Sequence, residues 1–173
     1  MKTIQDINFK NKKALIRVDF NVPLNKDLVV TDTTRIEAAK TTILKILKDG
    51  GSCVLLSHLG RPKNKELEFS LQHIIEAASR VLGVPVLFAP DCVGDTAQTA
   101  VARLKPSEVL LLENVRYYKE ETAGDPDFAK KLSKLGDIYV NDAFGSAHRA
   151  HASTSIITEN FPKDKCFGAL LAS

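Results

Sequence analysis

Nowhere in the 173 residues does an apolar run approach the roughly 20 residues that would cross a bilayer; "EVLLLEN" (108–114) is as long as such stretches become. No membrane-spanning segment is expected. The opening "MKTIQDINFK" is interrupted by polar residues throughout and lacks the continuous apolar stretch of a secretory signal, which makes a cytoplasmic location the expectation. Cysteine is scarce: Cys53, Cys92 and Cys166 are far apart, odd in number and without C-x-x-C spacing. A disulfide framework and a structural zinc are both argued against, and reduced, buried thiols are expected. Neither nucleotide fingerprint is present, whether G-x-x-x-x-G-K-S/T or G-x-G-x-x-G after a strand, and Gly50-Gly51 precedes a strand as a helix stop and turn. There is no G-x-S-x-G elbow for an acyl-transfer nucleophile. The net charge of +3 is too weak for a dedicated nucleic-acid binder, and the arginines are not interleaved with stacking aromatics.

What is present is ordinary globular composition, 44% apolar and 26% charged, in a length suited to one well-cored domain over 1–173. Five short β-rich apolar runs, at 13–21, 52–58, 84–90, 108–114 and 137–142, have the length and borders of buried strands. Between the first two, Ile36, Ala39, Ile43 and Leu47 recur at helical spacing, with Thr34 and Glu37 as a capping box and Gly50 as the stop. A second helix is expected over 70–82, ending at Gly83. Weaker helical patterns cover 95–104 and 125–135, the latter stopped by Gly136. Strand and helix therefore alternate without repeats or linkers, which predicts a three-layer α/β fold with an open, mainly parallel sheet covered by helices on both faces.

In such sheets ligands bind beyond the carboxyl ends of the strands. Five of the seven arginines and three of the four histidines fall there or at the start of the first helix: Arg17, Arg35, Arg61, Arg116, Arg149, His58, His148 and His151. Arg17, Asp19 and Asn21 alternate along one side of the first strand. Gathering five guanidiniums in one cleft is destabilising unless a polyanion relieves their repulsion. Arg35 sharpens the point, because a cation in the first turn opposes the helix dipole unless an anion sits there. A metal held by His148 and His151 is the weaker reading: no carboxylate or cysteine nearby completes a ligand set, and Arg149 would repel the ion. The small residues of "AFGSAHRAHAS" (143–153) would instead let the backbone approach a bound anion closely.

The motifs "RVDFNVP", "TRI", "SHLGRP", "LLENVRYYKEE" and "NDAFGSAHRAHAS", in this order, resemble the N-terminal, phosphoglycerate-binding domain of the phosphoglycerate kinase family along essentially the whole chain. The resemblance implies reversible phosphoryl transfer between 1,3-bisphosphoglycerate and ADP, giving 3-phosphoglycerate and ATP. It assigns Asp19 and Asn21 to the glycerate hydroxyl and carboxylate end, and His58, Arg61, Arg116 and Arg149 to the phosphate that is not transferred, with Leu59 and Gly60 also among the substrate-binding residues. Arg35 would stabilise the phosphoryl group in flight as the catalytic residue, with Arg17, His148 and His151 completing a basic patch. No metal or cofactor is expected on this chain; Mg-ATP or Mg-ADP would be held by a C-terminal nucleotide domain for which the chain has no counterpart. Tyr117 and Ser146 stand where the family usually has phenylalanine and threonine. A monomer is expected, with no nucleic-acid or membrane partner. The alternative from another class is a stand-alone binding module for small phosphorylated acids.

Overall fold

The structure is a computed structural model and describes residues 2–143 and 150–172. Its strands are β1 (Lys13–Val18), β2 (Ser52–Leu56), β3 (Val86–Ala89), β4 (Val109–Leu112), β5 (Ile138–Asp142) and β6 (Lys165–Phe167). All pair in parallel, in the order β3-β4-β2-β1-β5-β6. The helices are α1 (Thr34–Asp49), α2 (Ile75–Leu82), α3 (Gly94–Ala102), α4 (Lys119–Ala123), α5 (Pro126–Ser133) and α6 (Ala169–Ala172). The expected three-layer α/β architecture is present, and among the described residues no helix is long and apolar enough to cross a membrane.

Period-two alternation divides the strands between two cores. Ala14, Ile16 and Val18 of β1, with Cys53, Leu55, Val109, Leu111 and Val140, pack against Ile36, Ile43 and Ile46 of α1 and Ala78 and Leu82 of α2. Leu15, Val54, Leu56, Leu110, Leu112 and Tyr139 face the other way, onto Ala97 and Val101 of α3 and Phe128 and Leu132 of α5. Both faces being covered explains why the strands read as continuous apolar runs. All three cysteines are free and buried, as their spacing suggested.

The strands end earlier than their apolar runs, because side chains take over from the ladder at the carboxyl edge. The Phe20 amide donates to Ser57 Oγ at 2.9 Å, and the Val115 amide to the Ser57 carbonyl at 3.1 Å. α1 begins one residue earlier than expected for a Thr34 cap. Thr33 occupies the cap position and makes no side-chain cap bond; the Asp32 carboxylate instead accepts from the Thr34 amide at 2.8 Å. Gly50 and Gly83 close α1 and α2 in left-handed conformations. The expected second helix divides: Leu71–Ile74 is a 3-10 turn, started by Ser70 Oγ accepting from the Gln72 amide, before α2 begins. Gly136 does not cap α5, which ends at Ser133; a Cβ on it would lie 2.6 Å from Leu15 Cβ, so its role is close passage over β1. α4 is a single turn and β6 three edge residues, both too short to show a period.

At the end of β5, Asp142 is 1% exposed. Its Oδ1 accepts from the Leu170 amide at 3.1 Å, and the Thr42 hydroxyl bonds its carboxylate while accepting from the Ala169 amide at 2.8 Å. Oδ2 has no hydrogen-bond partner among the described residues. Burial raises its pKa to about 6, against the lowering effect of the Thr42 and Leu170 bonds. A carboxyl whose folded pKa exceeds its unfolded value favours folding when protonated, and that contribution is lost as pH rises from about 4 to about 6. Asp142→Asn should therefore gain on the wild type by on the order of 2 to 3 kcal/mol across this window, read from urea unfolding at successive pH values. A difference that does not change with pH would contradict the buried, ionisable role.

Candidate functional site

At the carboxyl ends of β1, β2 and β4 the chain leaves an open cleft of about 760 Å³. The segment after β1 supplies Asp19 and Asn21, and the segment after β2 supplies His58, Gly60, Arg61 and Pro62. Arg35 enters from the first turn of α1 and Arg116 from beyond β4; α4 adds Lys119 and Thr122, with Tyr118 beside it, and His151 closes the remaining side.

Side-chain hydrogen bonds hold these loops. Asn21 Oδ1 accepts from the Gly60 amide at 2.9 Å, tying the loop after β1 to the one after β2. Asn114 is fully buried and does more: its Nδ2 donates to the Leu59 carbonyl at 2.8 Å and the Phe69 carbonyl at 2.9 Å. Its Oδ1 accepts from the Arg116 amide at 3.0 Å, so one amide group sets both the His58–Arg61 loop and the turn carrying Arg116. At Gly124 the chain turns with φ +65°, and a Cβ there would meet the Ala150 carbonyl oxygen at 2.4 Å. Only glycine meets both demands, and this contact seats the segment that carries His151 against α4.

Positive charge dominates the cleft, with one internal counterion. Arg35 Nη1 donates to Asp19 Oδ1 at 3.2 Å and to the Asn21 carbonyl at 2.8 Å while its side chain stays half exposed. That acidic partner accounts locally for a cation in the first helical turn and leaves the guanidinium at the cleft surface. His58 is 7% exposed. Its pKa is lowered to about 2, first by burial and then by Arg17, Arg116, His151 and Arg35.

The residues singled out in the sequence are not all cleft-lining. Asp19, Asn21, Arg35, His58, Gly60, Arg61, Arg116 and His151 come together as described. Arg17 does not line the cleft: it is 0% exposed and lies beneath it, on the sheet face that carries Leu15. Alternation along β1 put it inside, where Ser153 and His58 receive its donors. Leu59 is buried too, and only its carbonyl is used, by Asn114. His148 and Arg149 lie outside the described residues. Lys119, Thr122 and Tyr118 were missed; the "YYKEET" stretch placed a lysine and a threonine three apart, a helical spacing that would have put both on one face. Asn114→Ala should cost on the order of 2 to 4 kcal/mol, because it leaves two carbonyls and an amide without their partner in a dry site, as denaturant unfolding would measure. A loss below about 0.5 kcal/mol would show that the loops hold without it.

Comparison with known proteins accords with this geometry. The phosphoglycerate kinase family model matches residues 4–173. The phosphoglycerate kinase of Chloroherpeton thalassium is 52% identical over 171 residues, covering 98% of this chain and 43% of the relative. Phosphoglycerate kinase 2, chloroplastic, of Arabidopsis thaliana is 50% identical over 173 residues, covering 98% of this chain and 36% of its own. Among solved structures, the enzyme from Pyrococcus horikoshii superposes with a TM-score of 0.89 at 31% identity, covering 99% of this chain and 43% of the other. The one from Coxiella burnetii gives 0.83 at 35% identity, covering 98% and 42%. The chain thus spans less than half the length of these relatives, over a cleft assembled from the same motifs that carried the resemblance, and it belongs to the phosphoglycerate kinase family.

Proposed function

We propose that this chain is the phosphoglycerate-holding part of a glycolytic phosphoglycerate kinase, which transfers a phosphoryl group reversibly between 1,3-bisphosphoglycerate and ADP. The single observation that carries the reading is the gathering of Arg35, Arg61, Arg116 and His58 around one cleft at the carboxyl edge of the sheet. Family membership supports a kinase over a stand-alone binding module. The fixed phosphate is gripped by His58, Arg61 and Arg116, with Arg149 as a further contact. Asn21 and Asp19 face the glycerate end. Guanidiniums suit this task because their planar donors meet phosphate and carboxylate oxygens in pairs.

In the forward direction of ATP synthesis, an oxygen of the ADP β-phosphate attacks the acyl phosphate's phosphorus, and the carboxylate of 3-phosphoglycerate leaves. No covalent nucleophile on the protein is needed; positioning and charge stabilisation suffice. Arg35, parked on Asp19 at the cleft surface, has the reach and exposure to shift its donors onto the phosphoryl oxygens as they pass. The magnesium nucleotide belongs to the part of the protein outside this chain.

The chain alone should therefore bind 3-phosphoglycerate and catalyse nothing. Calorimetric titration should show saturable binding that Arg61→Ala weakens by about 1.5 to 3 kcal/mol, the worth of one charge-assisted contact. Mixed with ATP, magnesium and 3-phosphoglycerate, the chain should give no turnover until a separately made C-terminal half is added. Failure to bind 3-phosphoglycerate, or turnover by the chain alone, would overturn the assignment.

A further inference from the structure

Arg17 and His58 meet beneath the cleft in a contact whose chemistry has one solution. Arg17 Nη2 lies 3.0 Å from His58 Nδ1, and both residues are buried. A guanidinium has five N–H donors and no acceptor, so the imidazole nitrogen facing it must accept. A nitrogen that accepts carries no proton. The ring is then neutral with its proton on Nε2, because an imidazolium would set donor against donor. We propose that Arg17 is a positioning residue that holds His58 as the neutral Nε2–H tautomer, so that His58 meets the substrate's phosphate as an uncharged donor while the cationic side chains around it carry the charge. The consequence for substrate rests on the phosphoglycerate-binding reading above; the tautomer itself does not.

The guanidinium is held from behind on all sides that matter. Its Nε donates to Ser153 Oγ at 2.8 Å, and its Nη1 donates to the Val18 carbonyl. Ser153 passes the contact on, its hydroxyl donating to Glu121 Oε2 at 2.5 Å and its amide to Oε1 at 2.8 Å. Glu121 is itself fully buried in α4. One hydroxyl therefore links a buried cation to a buried anion, and the fork cannot turn away from His58 without losing these bonds. The groups acting on the ring from the elements around it are Arg17 of β1, Arg116 beyond β4, His151 beyond β5 and Arg35 of α1. Each opposes a second proton on the imidazole. The acid nearest Arg35, Asp19, is already engaged with it.

This arrangement has a use. With Nδ1 occupied by Arg17, the opposite edge of the ring, bearing Nε2–H, is left for the cleft that His58 lines. A phosphate then gains a donor whose proton is fixed in place, independent of pH across the range where an ordinary histidine changes charge. A neutral donor also adds no repulsion against Arg116.

The test is nitrogen-15 NMR of the histidine rings in this chain without ligand, from about pH 5 to about pH 8. His58 should show a neutral ring protonated at Nε2 throughout. An Nδ1–H tautomer, or a change of charge within that range, would overturn the proposal. Arg17→Met supplies the second arm: in the folded variant, judged by its amide spectrum, His58 should lose its fixed tautomer or begin to gain charge within that pH range. If the folded variant keeps an unchanged His58, Arg17 does not position it and the proposal fails. Should the variant not fold, the wild-type spectrum decides alone. Because no ligand is present, a failure to bind 3-phosphoglycerate leaves this readout intact, so the two readings fail separately.

Discussion

A guanidinium with no exposed surface is the constraint around which this half of the molecule is arranged. Burying a charge costs several kcal/mol unless its donors are met and its charge is answered. Arg17 satisfies the first demand with Ser153, the Val18 carbonyl and His58, and the second through Ser153 to Glu121. Those partners come from the first strand, the loop after the second, the segment beyond the fifth and the short helix α4. Segments far apart in sequence are thus brought to one point under the cleft floor. The Glu121 carbonyl also accepts from the Ala152 amide at 2.9 Å, so the same contact fixes the backbone next to His151. Removing one member would leave the others as unpaired polar groups in a dry interior, which is where large losses arise.

Above this layer, the division of labour follows from exposure. Arg35 and Arg61 stand at the surface, where water screens their mutual repulsion and a ligand can displace it. Arg17, below, is too deep to touch a ligand and acts through the ring it bonds. Asp19 holds Arg35 at the cleft. The charges of Arg35 and Arg17 are therefore answered by a carboxylate, directly or through a hydroxyl, and are not left as bare repulsion.

Most of the layout was legible because parallel strands buried on two faces must be apolar throughout, and α1 and α2 repeat their apolar residues at helical spacing. The cleft residues were legible for a related reason: polar residues just past a buried run have only the sheet's carboxyl edge to occupy. Arg17 was misplaced by the same alternation that placed Asp19, since whether a polar residue on a strand faces solvent depends on what covers that face. Here the cover is α4 and the segment through Ser153. A five-residue helix carries no period, and a serine in a run of small residues carries no charge to notice. Glu121 read as one more acid in "KEE". β6 is three residues with lysine first, and its strand character comes from its neighbours: β5 on one side, and on the other the Lys2 carbonyl, which accepts from the Phe167 amide at 3.0 Å.

The claim that the cationic edge of the sheet is a phosphoglycerate site is tested most directly by a crystal structure of this chain with 3-phosphoglycerate bound. The phosphate should lie within hydrogen-bond distance of Arg61, Arg116 and the Nε2 atom of His58, with the glycerate carbons running toward Asn21 and Asp19 and Arg17 making no contact with the ligand. A phosphate held elsewhere on the molecule, or one bonded directly to Arg17, would contradict both the site and the layered arrangement beneath it.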